Sequence, residues 1–230
     1  SACASNVEGL IIGSNFINSG IINNCLCGTS SHNMSSEKQF RNPTEYGAPK
    51  PETATFTATG GASAVISNKK SNIKIESATI GRIVDYNQKD ALNMGAVMAC
   101  AAADTLKRHL DDLNRKEDYY DLILTGDLGL YGREILKEFM MKEHKINISC
   151  NYNDCGVMLY DLEEQKEVLA GGSGPVCSAL VLYGFILNEM KKKNIKKVLL
   201  IATGALFSPT MLYQKENILS IAHAISLEAI

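Results

Sequence analysis

Residues Tyr119–Lys145 read YYDLILTGDLGLYGREILKEFMMKEHK, and they contain two different hydrophobic patterns. The first is a short apolar run, which predicts a strand from Tyr119 to Thr125. A loop containing glycine follows, and from Tyr131 to Lys145 the apolar residues recur at helical spacing. A buried strand that leads through a short loop into a helix is the repeating unit of α/β proteins, so this segment predicts an α/β fold.

The same alternation continues on both sides of this segment. Towards the carboxyl end we predict a strand over Cys155–Tyr160, a helix over Ser178–Lys193, a buried strand over Val198–Thr203 and a final strand over Ile218–Leu227. Towards the amino end we predict a helix over Cys3–Ile17 closed by Gly20, strands over Ile21–Gly28, Ala54–Ser67 and Ile73–Ile83, and a helix over Ala91–Leu113. A polar surface loop joins Thr29 to Thr53. Apolar strands that alternate with helices predict sheets covered on both faces.

The composition excludes several classes of function. The 23 basic and 25 acidic residues leave a net charge of −2, without the basic excess of proteins that bind nucleic acids, so we expect no nucleic-acid partner. The seven cysteines show no zinc-ligand spacing, so we expect no metal site and mostly buried, reduced thiols. In a strand, Cys25 and Cys27 would face the same side.

Cys3 begins a predicted helix, where the partial positive charge of the N-terminus favours a thiolate. A cysteine nucleophile also needs a base. His32 follows a predicted strand and either lines a pocket or caps the loop. We interpret His223 as a satisfied core residue in an alternating strand, and His109 and His144 as surface groups.

Glycine clusters end three of the predicted strands, at positions 126–129, 171–174 and 204. Glycine at such places allows a ligand or another backbone to approach closely. None of the clusters follows the phosphate-binding patterns of nucleotide-binding loops, and we expect no cofactor. The segment Asp154-Cys-Gly156 is either a turn or a pocket wall.

Many local segments resemble the stage V sporulation protein AD family of the thiolase superfamily. They are Thr29-Ser-Ser-His-Asn33, Gln39-Phe-Arg41, Pro43-Thr-Glu-Tyr-Gly47, Lys50-Pro51, Ala101-Ala-Ala-Asp-Thr105, Tyr120-Asp-Leu-Ile-Leu-Thr-Gly-Asp-Leu128, Asn153-Asp-Cys-Gly156, Ala170-Gly-Gly-Ser-Gly174, Cys177-Ser-Ala179, Ala202-Thr-Gly-Ala-Leu206, Ser208-Pro209 and Ile221-Ala-His223. These segments run from near the start of the chain almost to its end, so the resemblance covers essentially all of it.

The resemblance implies a thiolase-like fold, a five-layered α-β-α-β-α sandwich of two similar halves. Residues 1–82 are then the remainder of the first half, and residues 83–230 are the second half. The strands and helix that precede the cysteine-bearing helix in this fold are absent from the chain, so we expect the first half to lack its N-terminal portion. We also expect an open sheet edge and poor solubility of residues 1–230 alone, and a homodimer for the complete protein.

The resemblance also implies that acyl-transfer chemistry is lost. Cys3 matches the nucleophilic cysteine of thiolases, but Ser173 stands at the position of their loop histidine. Thr203 stands at the position of the second cysteine, which moves the α-proton. A serine cannot act as an imidazole base, and a threonine hydroxyl is far too weak an acid to replace a thiol.

Members of the family are expected to be receptors for dipicolinic acid (pyridine-2,6-dicarboxylate), which enters the developing spore with calcium. A flat ring with two carboxylates needs cations or backbone donors and a flat wall. The roles we assign are carboxylate binding for Arg41 and Lys50, hydrogen bonding for Ser30, Ser31 and His32, and ring stacking for Tyr46. Cys3, Asp154 and Ser173 complete the candidate ligand-binding residues.

Two other functions remain open on the sequence. One is an active acyl-transfer enzyme with Cys3 as nucleophile and His32 or His223 as base. The other is a subunit that docks proteins at the spore inner membrane without a ligand of its own. In each case the resemblance implies other stage V sporulation proteins as partners and a location in the cytoplasm or at the periphery of that membrane.

Overall fold

The computed structural model describes residues 1–40, 50–206 and 208–230. The strands are β1 (Asn24–Ser31), β2 (Phe56–Thr57), β3 (Gly60–Ser67), β4 (Ile73–Thr79), β5 (Leu122–Thr125), β6 (Tyr152–Asp154), β7 (Gly172–Ser173), β8 (Lys197–Leu206) and β9 (Leu219–Ala229). The helices are α1 (Ser5–Asn18), α2 (Asn33–Phe40), α3 (Met94–Asp112), α4 (Gly129–Phe139), α5 (Cys155–Leu159), α6 (Cys177–Val181), α7 (Leu187–Lys191) and α8 (Pro209–Tyr213). Wider π-helical turns extend α4 over Met140–His144 and join α6 to α7 over Leu182–Ile186.

The main sheet has five strands in the order β4-β9-β8-β5-β6. β5 is parallel to β6 and β8, whereas β9 is antiparallel to its neighbours β8 and β4. The central strands β5 and β8 are almost completely buried, as their continuous apolar sequences predict. Helices therefore cover both faces of this sheet, and the α/β prediction is confirmed.

Helices α3 and α4 form the layer on one face of the main sheet. They approach closely because glycines meet where they cross: a Cβ on Gly132 would lie 2.7 Å from the Cα of Gly95. The alanine-rich face of α3 is buried against β8 and β9. Small residues at these positions allow α3 to lie close both to α4 and to the main sheet.

Helix α1 and the continuous helix α6–α7 form the layer on the other face. A second sheet, in which β1 pairs antiparallel with β3, packs on the far side of α1. The sulfurs of Cys25 and Cys27 point towards this helix and lie 3.7 Å apart. A Cβ on Gly13 of α1 would lie only 2.8 Å from the Cys27 sulfur, so a residue larger than glycine does not fit at this position.

The opposite face of the β1–β3 sheet is exposed. Leu26 and Val65 form a cross-strand pair there and are 70% and 71% exposed. Among the described residues, β1 and β3 pair only with each other, and no helix covers this face. Four layers of the five-layered sandwich are thus present in the described part of the chain, in the order helix, sheet, helix, sheet.

Two predictions of local structure were wrong. Residues Cys155–Tyr160 were expected to form a strand, but α5 begins at Cys155 because the carboxylate of Asp154 accepts a hydrogen bond from the backbone N–H of Val157 at 3.3 Å. The strand ends one residue earlier, as β6. The loop expected from Thr29 contains the end of β1 and then α2.

The prediction that His109 is a surface group was also wrong. Its side chain is completely buried and hydrogen-bonds to the hydroxyls of Thr79 at 2.7 Å and Tyr120 at 2.6 Å. Arg115 donates to the Tyr120 hydroxyl at 2.9 Å, which leaves the phenol proton for the imidazole. Burial lowers the pKa of His109 to about 4, so the imidazole is neutral at neutral pH.

None of the described helices is both long enough and apolar enough to cross a lipid bilayer.

Candidate functional site around Cys3 and Asp127

Cys3 lies in a single 3₁₀ turn, Ala2–Ala4, which leads directly into α1. This turn packs against β8 at Gly204, where an added Cβ would lie 2.4 Å from the carbonyl oxygen of Ser1. Ala4 is fully buried, whereas Cys3 keeps part of its surface exposed. The turn therefore holds the thiol at the carboxyl end of β8, although the residue as a whole keeps some exposed surface.

The carboxyl group of Asp127 occupies the centre of the site. It follows β5, is almost completely buried, and accepts hydrogen bonds from the hydroxyl of Thr203 at 2.7 Å and the backbone N–H of Gly174 at 3.1 Å. The thiol of Cys3 lies beside the same carboxyl group and influences its protonation. Three separate segments of the chain thus converge on the carboxyl group of Asp127.

Burial controls the protonation of this cluster. It raises the pKa of Asp127 to about 7, although the hydrogen bonds from Thr203 and Gly174 and the nearby Cys3 thiol oppose the shift. Burial, followed by the nearby carboxyl group of Asp127, raises the pKa of the Cys3 thiol well above its usual value. These effects outweigh the helix N-terminus, and the thiolate expected from the sequence is not favoured.

Asp154 holds the loop that carries Asp127. Its carboxylate accepts hydrogen bonds from the hydroxyl of Thr125 at 2.7 Å and from the backbone N–H groups of Leu128 and Gly129, each at 2.9 Å. Gly129 adopts a φ of +69°, which glycine tolerates better than other residues. Burial raises the pKa of Asp154 to about 6. The structure places this candidate ligand-binding residue behind the site, as the group that orients the loop.

The 171–174 segment forms the next wall. Ser173 is buried in β7, which pairs with Thr57 of β2 in parallel register. A Cβ on Gly174 would lie 3.1 Å from the hydroxyl oxygen of Ser31, so this hydroxyl lies directly beside the backbone that binds Asp127. Ser31 itself donates to the carbonyl of Ala58 at 2.7 Å.

These segments belong to a known family. The family model of stage V sporulation protein AD matches residues 1–228. The chain is a member of the stage V sporulation protein AD family. Its relative in Bacillus subtilis (strain 168), named stage V sporulation protein AD, is 46% identical over 227 residues. The alignment covers 99% of this chain and 66% of the relative, so the chain spans just under two thirds of the length of that protein.

Solved structures show the fold that this family member shares. The 3-oxoacyl-[acyl-carrier-protein] synthase III of Aquifex aeolicus VF5 aligns with a TM-score of 0.59 at 13% identity, over 99% of this chain and 65% of that one. An OleA variant of Xanthomonas campestris, bound with cerulenin, aligns with a TM-score of 0.60 at 12% identity, over 99% of this chain and 61% of that one. At such identities the likeness shows the fold alone, and that fold is thiolase-like.

Other candidate residues of this family member lie apart from the cluster or outside the described residues. Ser30 and His32 are exposed. Arg41 and Tyr46 lie outside the described residues. Lys50 is partly buried, a few residues before the segment at Ala54 that hydrogen-bonds to the 170–173 loop.

None of the histidines in the described part of the chain is hydrogen-bonded to Cys3. His223 lies in β9, as the core interpretation predicts, and its Nδ1 accepts the backbone N–H of Gly81 at 3.1 Å. Its Nε2 lies 3.3 Å from the hydroxyl of Ser1, and burial lowers its pKa. His144 is half-buried beside the ring of Phe139.

Sequence reasoning missed Asp127 as a site residue. The signal for it was its place directly after a buried strand, in the loop Gly126-Asp-Leu-Gly129. No three histidine, cysteine or acidic side chains of the described residues are arranged to hold a metal ion. What the cluster can do chemically is accept or donate hydrogen bonds at the carboxyl of Asp127, beside a protonated thiol.

Proposed function

We propose that this sporulation protein binds dipicolinic acid and supports its uptake into the developing spore, without catalysing acyl transfer. The observation that carries the second part is the position of the Asp127 carboxyl group beside the Cys3 thiol, whose pKa is raised by burial and by this carboxyl group. An acyl-transfer enzyme needs a base that removes the thiol proton and returns it to the leaving group. Here the neighbour is a carboxyl group that raises the thiol pKa.

The surroundings of Asp127 support a binding role. Because its pKa is about 7, a large fraction of the group is protonated at neutral pH and can donate a hydrogen bond to a carboxylate ligand. The hydroxyl of Ser31 and the backbone N–H of Gly174 lie on the neighbouring wall. A wall whose carboxyl group is neutral accepts an anion more readily than an ionised carboxylate would.

The positive charge for the ligand comes, in this proposal, from Arg41 and Lys50, with Tyr46 as the flat wall. A planar dicarboxylate gains most from a guanidinium group that binds it with two parallel hydrogen bonds. For the complete protein we propose calcium as the accompanying ion, a homodimer as the assembly, and other stage V sporulation proteins at the membrane as partners.

The test is calorimetric titration of the purified protein with dipicolinic acid and, separately, with acetyl-coenzyme A. We expect saturable heat with dipicolinic acid only, and no acetyl adduct on Cys3 by mass spectrometry. Arg41→Ala should weaken the binding by roughly tenfold or more, because a charge-assisted pair is lost. Arg133→Ala is the matched control, since its side chain contacts Glu134 and Asn153 instead.

The outcomes separate the functions. An acetyl group on Cys3 would overturn the inactive scaffold. A docking subunit is the second candidate, because Leu26 and Val65 form an exposed apolar pair on the β1–β3 sheet. Heat with neither compound would contradict the binding proposal and favour that candidate.

A further inference from the structure

A groove lies on the outer surface beside α3 and α4, formed by elements other than those around Cys3. It encloses about 610 Å³ and runs between α3 and the π-helical turn that extends α4. This volume falls in the range of small-molecule sites. Its lining residues are Arg82, Tyr86, Asp104, Lys107, Arg108, Phe139, Glu143 and His144.

One carboxylate gathers two guanidinium groups at one side of the groove. Asp104 accepts hydrogen bonds from Arg82 Nε at 3.1 Å and Nη2 at 2.7 Å, and Arg108 Nε lies 3.0 Å from it. The Asp104 side chain is only 12% exposed, whereas Arg82 and Arg108 are 60% and 45% exposed. The two guanidinium groups and the single carboxylate have a net charge of +1, and this charge is accessible to solvent.

Several donors on these guanidinium groups remain available. Each guanidinium has five N–H groups, and Asp104 engages two of those on Arg82 and one on Arg108. Within the described part of the chain, no other acceptor binds either group. Lys107, the third cation of the groove, is instead paired with Asp111. The free N–H groups are arranged for a second carboxylate opposite Asp104.

Aromatic rings form the other side of the groove. The rings of Tyr86 and Phe139 meet edge to face with centroids 6.0 Å apart, and the imidazole of His144 lies 5.9 Å from Phe139. Tyr86 is 44% exposed, so part of its ring is open to a ligand. The π-helical turn carries Glu143 and His144 at this point, and such turns are frequent at functional sites.

We propose that this groove binds a small aromatic carboxylate, with the carboxylate on Arg82 and Arg108 and the ring against Tyr86 and Phe139. A flat ring fits an edge-to-face aromatic wall, and its carboxylate completes the guanidinium donors. The carboxylate of Glu143 lines the same groove and opposes the ligand charge. The site is separate from the Cys3 cluster and does not depend on what that cluster binds.

The test is an NMR titration of the purified protein with benzoate, which follows the ring signals of Tyr86, Phe139 and His144. Benzoate is small, so we expect a dissociation constant on the order of 1 mM. Arg82→Gln and Arg108→Gln, made separately so that Asp104 keeps one partner, should each weaken binding by roughly tenfold. Glu143→Gln should strengthen it by about twofold to threefold, because a like charge is removed. Arg133→Gln is the control and should change nothing.

Three further probes define the ligand class. Uncharged benzamide should leave the three ring signals unmoved, and cyclohexanecarboxylate and inorganic phosphate should bind more weakly than benzoate. Benzoate binding that survives both arginine changes belongs to another part of the protein and would overturn the proposal. Benzamide that binds as well as benzoate, or phosphate that binds better, would overturn it as well.

Discussion

The hydroxyl of Thr203 donates a 2.7 Å hydrogen bond to the carboxyl group of Asp127, and both side chains are buried. The two residues come from neighbouring parallel strands, since Asp127 follows β5 and Thr203 lies in β8. A buried carboxyl group with few donors would stay protonated far above neutral pH. The hydroxyl, together with the backbone N–H of Gly174, limits the rise in pKa to about 7.

Asp127→Asn tests whether this carboxyl group suppresses the reactivity of Cys3. The change removes a negative charge that raises the thiol pKa, although burial of the thiol remains. We expect alkylation of Cys3 by iodoacetamide at about pH 8 to become roughly 3–10-fold faster, since a pKa unit corresponds to a tenfold change in thiolate. Exposed Cys150 serves as the internal control for the reagent in the same digest. An unchanged rate at Cys3 would show that burial alone protects the thiol.

The same substitution should change how stability depends on pH. The folded-state pKa of Asp127 is about 7, against an ordinary value of 3.8, so between these values the native state binds more protons than the unfolded state. This contribution is fully present below about pH 4 and is lost as the pH rises towards about 7, by at most roughly 1.4 kcal/mol per pH unit. In Asp127→Asn, the free energy of unfolding should no longer contain this decline between about pH 4 and pH 7.

His109 has the opposite effect on how stability depends on pH, and its contribution has to be separated from that of Asp127. Its folded-state pKa of about 4 lies below the ordinary 6.5, so its contribution to stability grows as the pH rises between these values. Urea unfolding from about pH 4 to pH 8 should therefore show a steeper rise in Asp127→Asn than in the wild type. His109→Gln should show a smaller rise than the wild type. Parallel curves for Asp127→Asn and the wild type would contradict the raised pKa of Asp127.

The sequence was enough to predict most element types, α2 and α5 being the exceptions, because apolar periodicity is a local property. The segment Tyr119–Lys145 has the predicted strand and helix, and the helix continues as a π-helical turn. Contacts between distant residues were not accessible in this way. Asp127 binds partners 47 and 76 residues away, at Gly174 and Thr203, so its place after a buried strand indicates a strand end but not the residues that it binds. His109 was misplaced for the same reason, because Thr79 lies 30 residues away.

Asp154→Asn should destabilise the protein and displace the loop that carries Asp127. The carboxylate accepts four hydrogen bonds, from Thr125, Leu128, Gly129 and Val157, and an amide would present N–H groups to some of these donors. The expected cost is about 2–4 kcal/mol in the free energy of unfolding, measured with urea.

Asp121→Asn is the matched control for this change. Asp121 also accepts two backbone hydrogen bonds, from Lys196 and Lys197, but it does so at the surface, where water replaces lost partners. Its cost should be no more than about 1 kcal/mol. Equal losses for the two variants would show that the burial of Asp154 adds nothing to its role.

Gly132→Ala tests the close approach of α3 and α4, the layer that supports β5 and β8 from behind. The added Cβ would lie 2.7 Å from the Cα of Gly95 and 2.8 Å from its carbonyl carbon and oxygen, so the backbone of α3 leaves the methyl group no room. The helices must separate, so we expect a loss of about 1–3 kcal/mol in the free energy of unfolding. Gly9→Ala in α1 is the control, because nothing lies within 4 Å of its added Cβ. Alanine has a higher helix propensity than glycine, so we expect the free energy of unfolding to rise by roughly 0.5–1 kcal/mol. If the two variants shifted the urea midpoint in the same direction, helix propensity rather than contact between α3 and α4 would govern both positions.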